Sequence, residues 1–174
     1  MKTIKQLGFA VTMALTLALS SCSSSDGGGG GGAAGLGTLK ANVGGTNFTS
    51  IAQGTTALIA DNGTYQNLSI GGADATGKVM QLMILAPEVT AGTYQLSEDA
   101  ELPSTASFTQ VNLSTSQAEV WGAPYTDGGN SGSIVITSIT ATNVQGTFSF
   151  VGRGESGPTK SITNGSFNVN ITSN

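Results

Sequence analysis

Histidine is absent from this 174-residue chain, and cysteine occurs once, at Cys22. Those two gaps close off much familiar chemistry. Without imidazole there is no Ser-His-Asp or Cys-His relay, and with a single thiol there is no internal disulfide, no Cys/His zinc site and no haem ligation. Charge is sparse as well: only 9% of residues are Asp, Glu, Lys or Arg. Beyond residue 21 the basic set shrinks to Lys40, Lys78, Arg153 and Lys160, against ten acids, a formal net charge of −6. A chain so poor in cations has no stripe with which to neutralise phosphates, which argues against a nucleic-acid partner. What remains for chemistry is carboxylates, hydroxyls, amides and a few basic groups.

Long apolar runs are missing too, with one exception. Leu7 to Leu19 is apolar apart from Gly8, Thr12 and Thr16. At about 13 residues it is too short for a bilayer core of ~30 Å but suits the apolar region of a signal peptide. It follows a basic start, Met1-Lys2-Thr3-Ile4-Lys5, and runs into Leu19-Ser20-Ser21-Cys22. This order resembles the signal peptide of bacterial lipoproteins. The resemblance implies removal of residues 1–21 and acylation of Cys22 by diacylglyceryl and N-acyl (palmitate-type) chains. Only a thiol is nucleophilic enough for that attack at neutral pH. Several chains make a durable anchor, since each buried methylene adds roughly 0.8 kcal/mol. The residue after the cysteine is Ser23, not aspartate. By the usual lipoprotein sorting rule this implies the outer membrane, at its periplasmic face or at the cell surface.

Ser23-Ser24-Ser25-Asp26 and six glycines, Gly27 to Gly32, follow. Such a run has no side chains to pack and reads as a flexible tether over residues 22–37. A phosphate-cradling glycine loop must follow a strand and open a helix, and this one follows a cleavage site.

Residues 38–174 are one domain's worth of chain. Thr, Ser, Val, Ile and Gly dominate, and apolar residues recur with a period of two at Ile134/Ile136, Phe148/Phe150 and Phe167/Val169/Ile171. In a strand, i and i+2 share a face. Turn signals fall between such runs: Gly44-Gly45, Asp61-Asn62-Gly63, Ser114-Thr115-Ser116 and Thr142-Asn143. Val79 to Leu85, apolar on both faces except Gln81, predicts a central strand. The expectation is an all-β domain: an antiparallel β-sandwich or partly open β-barrel of about ten short strands. The expected core is Phe48, Ile51, Leu58, Leu68, Ile70, Leu82, Ile84, Tyr94, Trp121, Ile134, Ile136, Phe148, Phe150, Phe167 and Val169.

Gly45-Thr46-Asn47-Phe48-Thr49, Gly92-Thr93-Tyr94, Gly132-Ser133-Ile134-Val135-Ile136, Gly146-Thr147-Phe148-Ser149-Phe150 and Ile162-Thr163-Asn164-Gly165-Ser166-Phe167 occur in that order. The set resembles a family of small Gram-negative lipoproteins carrying a domain of unknown function. The resemblance implies a lipid-anchored all-β domain without an established activity, and it carries over no functional site.

Each candidate for chemistry has a plainer reading. Gly72-Ala73-Asp74-Ala75-Thr76-Gly77-Lys78-Val79 nearly matches a P-loop, but Val79 stands where Ser or Thr must reach magnesium, and a strand follows instead of a helix. Glu98, Asp99 and Glu101 crowd one loop but lack the glycine-spaced pattern of a calcium loop. Asp127-Gly128-Gly129-Asn130-Ser131-Gly132 reads as the closure of a long hairpin between Trp121 and Ile134, and Arg153-Gly154-Glu155 as an exposed tip with Lys160 in the same loop. Trp121 and Tyr125 flank Gly122-Ala123-Pro124; aromatics on a loop stack on sugar rings, while Trp121 fits the core equally well. The expected sites are thus lipid attachment at Cys22 and a ligand contact at Trp121 and Tyr125, with no catalytic set, metal or cofactor. The expected role is a non-enzymatic, lipid-anchored envelope module, structural or binding, whose partners are the membrane through its anchor and a glycan or protein. Two alternatives stand beside it. One is a carrier with an apolar ligand or glycan in a cavity walled by Val79, Met80 and Met83. The other is a carboxylate-dependent hydrolase, for which no acid pair stands out.

Overall fold

The period-two alternation becomes eleven strands in the computed structural model, which describes residues 32–112, 114–125, 129–155 and 157–172. They are β1 Thr38–Val43, β2 Thr46–Thr49, β3 Thr55–Asp61, β4 Gln66–Ala73, β5 Lys78–Ala86, β6 Gly92–Ser97, β7 Thr105–Asn112, β8 Gln117–Ala123, β9 Asn130–Ile139, β10 Asn143–Gly154 and β11 Thr159–Thr172. One 3-10 turn, Ala52–Gly54, precedes β3. Gly44 (φ 55°) and Gly45 (φ 89°) make the β1–β2 turn, a left-handed pair that glycine adopts without strain.

All eleven strands belong to one sheet, and β11 is its junction. Along one edge β11 pairs with β10, from Asn143↔Asn170 to Arg153↔Thr159. Along the other it pairs with β1, from Val43↔Ile162 to Thr38↔Asn168. Its last residues then pair with β3 (Ile171↔Ala57, Thr172↔Leu58). That last pairing is parallel, so the sheet is mixed where a purely antiparallel one is expected. β10 forks as well: its first part lies against β9, and Arg153 and Gly154 lie against Gly122 and Trp121 of β8. The path β3-β4-β5-β7-β8-β10-β11 therefore returns to β3 as a ring, with β1–β2 and β9–β6 as branches. The fold is all-β and partly ring-like.

The interior is one apolar cluster reaching from Leu39 to Val169, with Leu68, Ile70, Met80, Leu82, Ile84, Leu96 and Ile134 fully buried. The β1–β2 branch closes over it: Phe48 meets Phe108 edge-on, ring centroids 6.2 Å apart. The β10–β11 hairpin is bound by a reciprocal device. Gly146 pairs with Phe167 and Phe148 with Gly165, and the two rings lie 6.4 Å apart. Each phenylalanine covers the bare backbone of the glycine opposite, an arrangement that lets a sheet bend without losing apolar cover.

Most of the expected core is buried, with corrections. Leu58 is 37% exposed and Ile51 45%. In β3 the inward residues are Ala57 and Ile59, because Ala57 sits opposite Ile70; alternation then turns Leu58 outward beside Ser69. Ile51 precedes the 3-10 turn, where its N–H donates to the Ala73 carbonyl and its side chain faces out. Tyr94 is only partly buried, its hydroxyl exchanging hydrogen bonds with the Thr90 backbone. β10 and β11 are long, at 12 and 14 residues, and take in Arg153 and Lys160, which are strand residues flanking a tip that is itself shorter than expected. β8 and β9 do not form a hairpin; both lie along the same edge of β10.

Candidate functional site

Two of the candidate loops resolve into turns. Asp74 organises the β4–β5 connection: its carboxylate accepts from the N–H groups of Thr76 (2.8 Å) and Lys78 (2.9 Å) and from the Thr76 hydroxyl. Slight burial pushes its pKa up, but these hydrogen bonds and the Lys78 charge outweigh that and hold the carboxyl below the ordinary 3.8. The loop is spent on itself, with Val79 already in β5. Glu98, Asp99 and Glu101 are all exposed, and among the described residues no three acidic or thiol groups gather to hold a metal. Residues 126–128 and Cys22 lie outside the described residues; Asn130 opens β9 and donates to the Gln95 amide oxygen.

Trp121 and Tyr125 are placed apart in role. Trp121 is buried, its ring 5.9 Å from Phe108, with the Lys160 ammonium 3.4 Å from its centroid. It belongs to the interior. Tyr125 lies half-buried just beyond β8, with the Arg153 guanidinium 4.4 Å from its ring centroid. Each aromatic therefore has a cation on one face, a favourable electrostatic arrangement.

Two concavities stand out. The larger, about 710 Å³, is a groove on the outer face of β9, β10 and β11. Because β10 alternates strictly, Gln145, Thr147 and Ser149 all point out of the core. Val135 and Ser133 of β9 lie opposite Thr147 and Ser149, and Ser166 of β11 completes the row across Thr147. β11 bends here. Asn164 takes φ 52°, and a bulge lets three of its residues span two of β10 and two of β1. The groove's edge is the chain leading into β1. Ser166 Oγ donates to the Gly32 carbonyl (3.3 Å), Asn168 Nδ2 to that of Ala34 (3.4 Å), and Gly37 N–H to that of Asn168 (2.7 Å). Among the described residues no charged one lines the groove; its polar groups are the hydroxyls and amides of Ser, Thr, Asn and Gln.

The smaller concavity, about 280 Å³, opens at the ring's end under the β1–β2 turn. Lys78, Lys160 and Phe108 all line it, with the Lys160 ammonium 5.4 Å from the Phe108 ring centroid. Sequence reasoning missed both places. The outward Ser/Thr/Gln set of β10 is legible from alternation, but the pairing that sets it beside Ser166 and Ser133 joins segments far apart in the chain.

No curated protein matches this chain, and neither does any solved structure. A domain of unknown function, DUF6252, matches residues 37–170, which takes in β1 to β10 whole and β11 as far as Asn170, and the chain belongs to that family.

Proposed function

We propose that this protein is a lipid-anchored, non-catalytic binding module of the bacterial cell envelope, and that the groove on β9–β10–β11 takes a neutral polar ligand, a glycan chain. The anchor is Cys22 and the site is the outer membrane; both rest on the signal-peptide resemblance and on Ser23. The ten residue-to-residue steps from Cys22 to Gly32 reach at most about 33–36 Å, which keeps the groove near the membrane surface. The observation that carries the ligand class is the lining: hydroxyls and amides set beside the apolar Ala33, Ala34 and Val135, with no charged residue among the described ones, in a concavity large enough for several sugar units. A charged ligand would meet no counter-charge among the described residues, a wholly apolar one would leave the hydroxyls and amides unpaired, and a sugar offers both hydroxyls and C–H faces to this mixed lining.

The carrier reading lacks support. Met80 is fully buried in the packed cluster, while its neighbours Val79 and Met83 lie on the opposite, outer face and so share no cavity wall with it. The hydrolase reading finds no acid pair in either concavity among the described residues.

Binding of the full chain to a panel of neutral and acidic glycans tests the proposal. Neutral glycans bind, and Thr147→Arg, which puts a long cation into the groove from an exposed strand position, abolishes that binding with the melting temperature unchanged. Binding that survives Thr147→Arg, or no binding to any neutral glycan, rejects it.

A further inference from the structure

We propose a second site, an oxyanion-binding mouth at the end of the ring, built on Lys78 and Lys160 and selective for a phosphate group. It goes beyond the glycan groove and shares no residue with it.

The two lysines come from strands far apart in sequence, yet pairing turns both to the same opening. Lys78 sits opposite Gln110 and Met80 opposite Phe108, so Lys78 shares the inward face with the Phe108 ring. Lys160 sits opposite Gly152, where a Cβ would lie 2.9 Å from Trp121 Cβ; that face is also the interior. Two of the four cations beyond residue 21 in a net-acidic chain therefore converge on one small concavity. Its rim adds Gln110, Thr46 and Asn47 as uncharged donors.

Lysine pointed into the end of a barrel is costly unless something compensates. On one side the aromatic floor does so: the Lys160 ammonium lies 3.4 Å from the Trp121 centroid and 5.4 Å from that of Phe108. A ring face accepts no full set of hydrogen bonds from an ammonium with three donors, so the side facing the cavity is left for an acceptor. Two described acids are linked to the lining residues. Asp74 is held by its own turn and feels the Lys78 charge. Glu119 stands opposite Gln110 in register and is exposed. A compact oxyanion is the group that meets two ammonium ions and amide donors together, and a volume near 280 Å³ suits a phosphate rather than a large ligand. That phosphate is either free or the headgroup of a lipid.

Trp121, the sole tryptophan, reports on the site directly. The full chain in neutral-detergent micelles is titrated with inorganic phosphate at constant ionic strength, and separately with micelles doped with phosphatidic acid. The expected result is a saturable change in Trp121 emission with at least one source, with half-saturation on the order of 1 mM or below. A response to inorganic phosphate assigns the free ion; a response to doped micelles alone assigns the headgroup. Lys78→Gln, which leaves the Trp121 contact in place, weakens the response about tenfold or more, as does Gln110→Glu, which adds a negative charge at an exposed rim position. Lys40→Gln, at an exposed position of β1 outside the mouth, leaves it unchanged. No saturable response to either source, the same response to chloride, or an undiminished response in both mouth variants with unchanged melting temperature overturns the proposal.

Discussion

Glycine and phenylalanine face each other across β10 and β11 in some of the closest approaches among the described residues. A Cβ built on Gly146 would strike the Val135 carbonyl oxygen and lie 2.5 Å from Phe167 Cζ; one on Gly165 would lie 2.6 Å from the Phe148 ring. The first obstacle is backbone, which cannot step aside, and the second is a ring locked at 1% exposure. Gly146→Ala is therefore expected to destabilise the domain by about 1–3 kcal/mol, the range for overpacking. Phe167→Leu removes the ring that the new methyl meets, so the double variant should be more stable than the sum of the singles predicts, by roughly 0.5–3 kcal/mol. Urea unfolding of the four proteins measures this, and strict additivity would show that the ring is not what Gly146 yields to.

At the scale of elements, the Asn164 bulge shapes the groove. Asn-Gly between alternating residues is the strongest short hairpin signal, and at Asn62-Gly63 it does turn the chain. At Asn164-Gly165 the same dipeptide bends a 14-residue strand and lets it continue. The difference is tertiary: β11 is held on both edges through this point, by β1 and β10, so the extra residue is absorbed as a bulge. Asn164 tolerates φ 52° where a β-branched residue does not. Asn164→Val is expected to cost about 1–2 kcal/mol while Asn164→Gly stays within about 0.5 kcal/mol of the parent. Chemical denaturation of the pair decides it, and equal stability of the two variants would remove the strain argument. The same contrast marks what sequence makes legible. Alternation and turn residues locate nearly every strand and the core faces of β4, β5, β9 and β10. They misplace the face of β3, because Ala57 against Leu58 is decided by the partner Ile70 and not by hydrophobicity. They also leave Lys160 in a loop, since the Trp121 ring that draws it inward is 39 residues away in the chain. Both concavities fall in this second class, being products of pairing between distant segments.

For the molecule as a whole, closure depends on very little chain. The ring returns to β3 through two residues, Ile171 and Thr172, and Ile171 N–H also donates to the Thr142 carbonyl at the β9–β10 turn. Ile171 packs partly buried against the core, next to Ala57 in register. Without these residues β3 keeps β4 on one edge and has nothing paired on the other, while β1 and β10 still hold the rest of β11. A chain ending at Asn170 should therefore fold, with its groove intact, but as an opened sheet. The lost apolar contact and backbone hydrogen bonds together amount to about 2–3 kcal/mol, which for a domain of this size lowers the melting temperature by roughly 5–12 °C. Hydrogen exchange separates this from general loosening: faster exchange centred on β3 is the expected pattern, because only there does the backbone lose a paired neighbour. A uniform rise in exchange across β9 and β10 would instead mean that the ring is cooperative throughout, with the parallel junction as the point on which the whole barrel depends.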